Sequence, residues 1–406
     1  MAMPIGMPPL SARVGRTELA ATFAMAARAR ALRAQGHDVI SLSLGEPDFP
    51  TPDHVVQAAH EAALRGETKY PPLAGTEALR TAVQRKYQRE QKLDLPLQSI
   101  LITNGGKQAI FNVVMSVING GDKVLIPAPA WAGYEQTVQF AGGVPVFIPC
   151  PQSAGFVLQP EALEAAITPR TKLLLLNYPN NPSGAACSAA ALGAIADVLR
   201  RHPGIWVLSD DIYEHLLFDD FTYATLAAVA PDLGERIVTL TGVSKSYAMT
   251  GWRIGFCAGP ADLIKACTVV QATATSGVSS VGQAAALAAL EGKQDFLAGR
   301  AAAYQARRDL VVARLNEISG IACHKPDGAF YVFPDISGCI GKTTKAGKRI
   351  ETDTDFTTAL LDEGFVAVVQ GSAFAMSPHI RISTATSEDV LNRACARIAD
   401  FCANLR

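Results

Sequence analysis

Thr171-Lys172-Leu173-Leu174-Leu175-Leu176 is a continuous apolar run that gives way at once to the polar turn Asn177-Tyr178-Pro179-Asn180-Asn181-Pro182-Ser183-Gly184. A strand wetted on one side alternates, whereas one apolar throughout is covered on both faces, as in a parallel sheet between helices. Two further stretches have this form. Ile205-Trp206-Val207-Leu208-Ser209 ends in Asp210-Asp211-Ile212-Tyr213, and Ile237-Val238-Thr239-Leu240-Thr241 leads to Ser244-Lys245. Residues 99–103, 123–127 and 144–148 also read as strands with helices between them, and 254–259 reads as one more. This alternation predicts an open α/β sheet, which binds its ligands beyond the C-terminal ends of its strands. Asn181, Asp210 and Lys245 all fall at that edge.

Ser244-Lys245-Ser246-Tyr247-Ala248-Met249-Thr250-Gly251-Trp252-Arg253-Ile254-Gly255 holds one lysine and no second basic residue before Arg253. A lysine in a strand-to-loop turn is ordinarily solvated. In an apolar pocket near another cation, it is pushed toward the neutral amine that attacks carbonyls. Arg253 is suited to grip a phosphate with its planar fork. The two together point to a Schiff base between Lys245 and a phosphorylated aldehyde. Asn104-Gly105-Gly106-Lys107-Gln108 joins a strand to a helix expected over 109–118, and such a helix N-terminus is an anion cradle. It matches neither the Walker spacing nor G-x-G-x-x-G.

Before this region, residues 1–10 read as an extended arm, 19–35 as a helix closed by Gly36, and 39–44 as a strand ending in Gly45-Glu46-Pro47-Asp48-Phe49-Pro50. Lys69-Tyr70-Pro71-Pro72 is a loop entering a helix. By themselves Gly45, Tyr70 and Trp131 read as a turn glycine, a packing or surface tyrosine and a core indole. Beyond residue 283 the pattern becomes α+β: long helices, strands near 327–334, 366–371 and 379–384, and a last helix opened by Ser387. Arg381 stands in the alternating strand, where an arginine either snorkels or recognises a carboxylate bidentately. The basic, turn-prone segment 342–349 reads as a solvated insertion.

The 406 residues are 49 % apolar and 18 % charged, with net charge −1. There is no basic footprint for nucleic acid and no polybasic membrane patch. No stretch has the roughly 18 unbroken apolar residues of a membrane span. The eight cysteines form no C-x-x-C pair, so no metal site is expected. Scattered thiols and an N-terminus unlike a signal peptide lead us to expect a cytoplasmic protein.

The chain resembles the class I pyridoxal-phosphate aminotransferases of fold type I, and most closely the bacterial aspartate aminotransferases of the prokaryotic Iγ (1b) branch. In order, the markers are GEPDF (45–49), KYPPLAGTEALR (69–80), NGGKQA (104–109), the Trp131 segment, NYPNNPSG (177–184), SDDIYEHLLFD (209–219), SKSYAMTGWRIG (244–255), PDGAFYVFP (326–334) and GSAF…HIRISTATS (371–387). Each is weak alone; the ordered set is specific. The resemblance implies a large cofactor-binding domain with a mostly parallel sheet sandwiched by helices (residues 49–298). It also implies a smaller α+β domain (299–406), to which part of residues 1–48 would belong.

It further implies pyridoxal 5'-phosphate as cofactor. Lys245 would form the aldimine and shuttle protons, Asp210 would pair with the pyridinium nitrogen, and Tyr213 and Asn181 would share the ring oxygen. Trp131 would stack on the ring, and Gly106, Lys107, Ser244 and Arg253 would hold the phosphate. Tyr70 would reach the phosphate of a neighbouring subunit, making a homodimer the catalytic unit. Arg381 and the backbone of Gly45 would take the substrate α-carboxylate, with Trp131 and Asn181 beside it. The implied reaction is ping-pong transfer from L-aspartate to 2-oxoglutarate through a pyridoxamine intermediate. Alternatives are a transaminase acting on aromatic, alanine or prephenate-type substrates, or a pyridoxal-phosphate lyase of the same fold. The chain departs from the pattern at 16–22, where a Pro-Ser-x-Thr stretch is reduced to Thr22. It departs again at Met115, a lysine in some aspartate-specific relatives. For a distal carboxylate the candidates are Lys107, Arg13 and Arg16.

Overall fold

The computed structural model describes residues 10–17 and 21–406, without the side chains of 21–23. Most of the expected arm and the start of the first helix, including the side chain of Thr22, lie outside the described residues. That helix is described over Ala21–Ala34.

Seven strands form the main sheet: β1 (Ile100–Thr103), β2 (Lys123–Ala128), β3 (Val144–Pro149), β4 (Thr171–Asn177), β5 (Trp206–Asp210), β6 (Ile237–Gly242) and β7 (Gly255–Ala258). Their spatial order is β1-β7-β6-β5-β4-β2-β3. The pairings are parallel except those of β7, which runs antiparallel to β1 and β6.

The run that predicted the sheet is covered on both faces. Leu173 and Leu175 pack with Ile110, Val113 and Val114 of helix Gly106–Val117. Leu174 and Leu176 pack with Leu192, Ile195 and Leu199 of helix Ala189–Arg201 on the other side. Each fully buried leucine stabilises the fold by about 1.5–3 kcal/mol. In register, Asn177 lies beside Asp210, and Asp210 beside Leu240. The C-terminal ends of β4, β5 and β6 therefore open side by side.

The helix after β1 starts at Gly106, earlier than the expected residue 109, because Gly105 takes φ +76° and turns the chain directly into it. The first peptide N–H groups of that helix thereby point out of the sheet edge.

A second core combines Ile40 and Leu42 with Val311, Leu315, Phe356, Leu360, Ile382 and Ile398. Around it, Ile40–Ser41 pairs parallel to Val366–Ala367, and Val369–Gln370, Ile380–Ser383 and Tyr331–Val332 form an antiparallel sheet. The strand expected over 39–44 makes ladder pairs only at Ile40–Ser41; the chain then stays extended, with Leu42 N–H donating to the Ala367 carbonyl. Helix Phe296–Asn316 connects the two cores. Its start packs through Phe296 and Leu297 on the main body and its end through Val311 and Leu315 on the second core. The expected 298/299 division falls within this helix.

The basic insertion is anchored at its base, where Thr343 exchanges backbone bonds with Arg406, while residues 345–349 are exposed. Among the described residues no helix is long and apolar enough to cross a membrane.

Because β4 is buried on both sides, Leu174→Ala and Leu175→Ala should each cost about 2–5 kcal/mol in urea unfolding. A sheet wetted on one face would make one of the two nearly free.

Candidate active site

The ends of β4, β5 and β6, the start of helix Gly106–Val117, the 43–46 segment and strand Ile380–Ser383 enclose a cavity of about 400 Å³. Gly45, Gly106, Lys107, Trp131, Asn181, Asp210, Tyr213, Ser244, Lys245, Arg253 and Arg381 all line it. Tyr70, the expected phosphate contact, is 95 % exposed and outside the cavity.

Lys245 Nζ donates to the Gly45 carbonyl at 2.6 Å and faces the rings of Tyr213 and Phe330, 5.9 and 5.8 Å from their centroids. Burial, then Arg381 and Arg253, push the amine down to about 8, while Glu46 and Asp210 oppose the shift. Arg381 thus outranks Arg253, the cation expected from the sequence. The Gly45 carbonyl serves the lysine here.

Asp210, at the end of β5, accepts from the Tyr134 hydroxyl at 2.7 Å and from the Ile212 amide at 3.2 Å. Burial raises its carboxyl to about 6 against these bonds. Asn177, the last residue of β4, donates to the Asp210 carbonyl at 2.9 Å and accepts from the Asn181 amide at 2.9 Å, so one side chain sets both neighbours. Tyr213 shares a 2.9 Å hydroxyl contact with Tyr331. Trp131 caps the start of helix Ala132–Ala141 and meets Tyr134 edge-on at 5.3 Å, with Lys107 Nζ 5.5 Å from the indole.

Arg381 is 3 % exposed, on the cavity wall between the Tyr331 and Phe374 rings. It donates to Asn181 Oδ1 at 2.9 Å and to the Ser43 carbonyl at 2.6 Å, and its Nε is buried without a hydrogen-bond partner. It does not snorkel.

Opposite, a Cβ on Gly255 would lie 2.5 Å from Gly106 N, and one on Gly105 would run into the Arg253 guanidinium. Only glycines allow this approach, which puts Arg253 beside the open helix N-terminus. Arg253 is steadied by the Thr250 carbonyl at 2.9 Å. Arg13 lies over the Phe140 ring and Arg16 beside Gly142; neither lines the cavity.

Tyr134, Tyr331 and Asn177 were not singled out as site residues from the sequence. Tyr134 follows Trp131 by the three-residue spacing of one helix face, a signal that could have found it. Asn177 and Tyr331 stand inside quoted markers, but only the fold shows which way they turn.

The residues accommodate an aromatic cation with an anionic tail. A buried carboxylate faces a ring-sized cavity, an Arg-flanked helix N-terminus takes an anion, and a reactive amine stands between them.

Residues 37–398 match the family described as "Aminotransferase class I and II". The chain belongs to the class I and II aminotransferases. It is 50 % identical over 396 residues to the aspartate/prephenate aminotransferase of Cereibacter sphaeroides, covering 98 % of this chain and 99 % of that protein. It is 52 % identical over 400 residues to an aspartate aminotransferase of Rhizobium meliloti, covering 98 % and 97 %. The crystal structure of the aspartate aminotransferase from Rhizobium meliloti superposes with a TM-score of 0.96 at 51 % identity, over 99 % of this chain and 100 % of that one. The Thermus thermophilus aspartate aminotransferase with maleate gives 0.91 at 39 %, over 97 % and 100 %. The chain is therefore an aminotransferase with the α/β fold of its relatives, from a family that uses pyridoxal phosphate.

Behind the sheet, Asp211 accepts from Thr225 at 2.7 Å and from Ser209 at 2.8 Å, and burial raises it to about 7. Such a carboxyl holds a proton in the folded state that the unfolded chain has lost, so stability falls as pH rises from about 4 to about 7. Asp211→Asn should flatten that fall by on the order of a few kcal/mol, measured as denaturant midpoints across the range. An unchanged slope would contradict the raised value.

Proposed function

We propose that this aminotransferase uses pyridoxal 5'-phosphate to move the amino group of L-aspartate to 2-oxoglutarate, working as a cytoplasmic homodimer. The observation that carries the reading is the partly buried Lys245 amine, depressed to about 8, facing Asp210 and Arg381 in one cavity. The activities for which the relatives are named supply the choice of aspartate. The C. sphaeroides relative is named an aspartate/prephenate aminotransferase, which keeps prephenate as a second candidate substrate. Eight buried, unpaired cysteines accord with a reducing compartment.

The cofactor, when bound, supplies an electron sink for the pair left when the substrate Cα loses its proton. The chain does the rest. Gly106 and Lys107 offer backbone N–H groups, and Ser244 and Arg253 side-chain donors, to the phosphate. Asp210, held by Tyr134 and Asn177, would keep the ring nitrogen protonated. Tyr213 and Asn181 would share the ring oxygen, and Trp131 would cover the ring. Arg381 would clamp the α-carboxylate beside Gly45. Lys245 Nζ would take the proton from the substrate Cα and deliver it to the cofactor C4′; an amine with a pKa near working pH does both efficiently. Tyr70, fully outside its own cavity, belongs to the partner's phosphate site in a second copy of this chain. The large domain at 49–298, and the smaller one at 299–406 with part of 1–48, form the two walls of the cleft.

Purified protein should absorb in the visible from lysine-bound cofactor and lose that band in Lys245→Ala. A colourless wild type would refute the cofactor. Adding single amino acids and following the loss of the band tests the substrate: aspartate and glutamate should bleach it, and a response confined to aromatic amino acids or alanine would replace aspartate. Arg381→Leu should raise KM at least tenfold for every amino acid, equivalent to about 1.4 kcal/mol or more. A rise for one substrate only would mean that Arg381 reads side chains.

A further inference from the structure

Residues 43–51 form a strap whose first four residues, Ser43 to Glu46, line the cavity, and it is tied near both ends by buried arginines. Arg381 holds the Ser43 carbonyl at 2.6 Å. Arg300, 9 % exposed on helix Phe296–Asn316, holds the Pro50 carbonyl at 2.7 Å with one nitrogen and the Ser246 carbonyl at 3.1 Å with the other. Ser246 follows Lys245 directly. The same guanidinium lies 5.3 Å from the Phe49 ring and 4.6 Å from the Phe296 ring, which fix its plane.

Between these ties the strap touches the lysine turn repeatedly. Gly45 O takes Lys245 Nζ at 2.6 Å, Glu46 bonds Thr250, Thr51 donates to the Ala248 carbonyl at 2.7 Å, and Trp252 Nε1 donates to Thr51 at 3.0 Å. Asp48 is held by Arg307 at 2.9 Å. Among the described residues Arg300 is the one side chain that bonds the strap and the lysine turn at once through two backbone carbonyls. Two carbonyls on one planar fork fix a separation, which a single flexible ammonium does not do.

We propose that Arg300 is a positioning residue for Lys245: it clamps the strap onto the lysine turn, so that the amine stays on Gly45 O and away from water. The charged groups that face the amine are Glu46 on the strap, Asp210 on β5, Arg253 at the end of its own turn and Arg381 across the cavity, with the Tyr213 hydroxyl on the cavity wall. Arg300 is not among them, so its effect runs through the strap. Loosening the strap hydrates the amine and lets it regain its proton more easily. The consequence for turnover rests on the aminotransferase reading; the state of the amine does not.

The test is the pH at which Lys245 becomes half-reactive toward acetic anhydride, read by peptide mass spectrometry on the cofactor-free full chain, for wild type, Arg300→Met and Arg300→Lys. Wild type should react at about 8. Met should move this up by about one unit and Lys, which keeps the charge but not the fork, by part of that. On the cofactor-loaded enzyme kcat should fall about tenfold with KM for aspartate little changed, since Arg381 is untouched. Wild-type labelling profiles in both variants alongside a lowered melting temperature would reduce Arg300 to a structural residue. A shift in Met with none in Lys would assign the effect to charge and equally overturn the clamp. If Met does not fold, the Lys profile decides alone.

Discussion

The Lys245 amine is drawn largely out of water, and an amine so placed must still have an acceptor. An unpaired buried donor costs about 1–3 kcal/mol, more when charged. Gly45 O meets that need from a segment two hundred residues away in the chain, and only a glycine fits there because a Cβ would strike the Tyr331 hydroxyl. That hydroxyl in turn bonds Tyr213, and the Tyr331 ring lies against Arg381. One contact therefore binds the strap, the end of β5 and the arginine wall into a single arrangement. Moving any of them alters the water around the amine.

The back of the sheet is held as firmly as the front. Lys86, 1 % exposed, places Nζ 2.8 Å from both Glu214 and Glu90. Glu214 also accepts from Gln91 and Thr241, each at 2.7 Å. Buried ion pairs are weak evidence for stability, since desolvation offsets much of their attraction. Their geometric effect is plainer: Glu214 follows Tyr213 on one strand end and Thr241 lies on the next. Helix Glu77–Gln91 thus pins together the two ends that carry Asp210 and Lys245. Glu90, Glu214 and His215 lie close enough to suggest a metal site, but the Lys86 ammonium already sits between the two carboxylates.

The sheet could be read from residues 171–176 because burial on both faces leaves a signal that needs no partner to interpret. Asn181, Asp210 and Lys245 were legible for the same reason: a polar residue just past an apolar strand has few other reasons to be there. Tyr134, Asn177 and Tyr331 were not, since their importance lies in what they touch. A tyrosine within a helix or an apolar marker reads as packing until the fold aims its hydroxyl. Arg300 was harder still. It sits in a helix rich in alanine and arginine, and nothing local separates a guanidinium that clamps two distant carbonyls from one that faces water. The early start of helix Gly106–Val117 was hidden for a different reason: a glycine pair signals a turn equally well whether the helix begins within it or after it.

Asp210 and Lys245 are displaced in opposite directions by one cause. Burial penalises charge, so it lifts the acid to about 6 and lowers the amine to about 8. Without their surroundings the two would be fully ionised near neutrality; here both stand within reach of losing their charge. A planar ligand with a protonatable ring nitrogen at one end and an anionic tail at the other meets each demand at the right place. Under the proposed function its cationic nitrogen would favour the ionised Asp210, and its tail would meet the helix N-terminus beside Arg253, which would leave Arg381 for a substrate carboxylate. The same low dielectric that shifts both groups would then sort their charges, holding the acid as an anion beside the ring nitrogen.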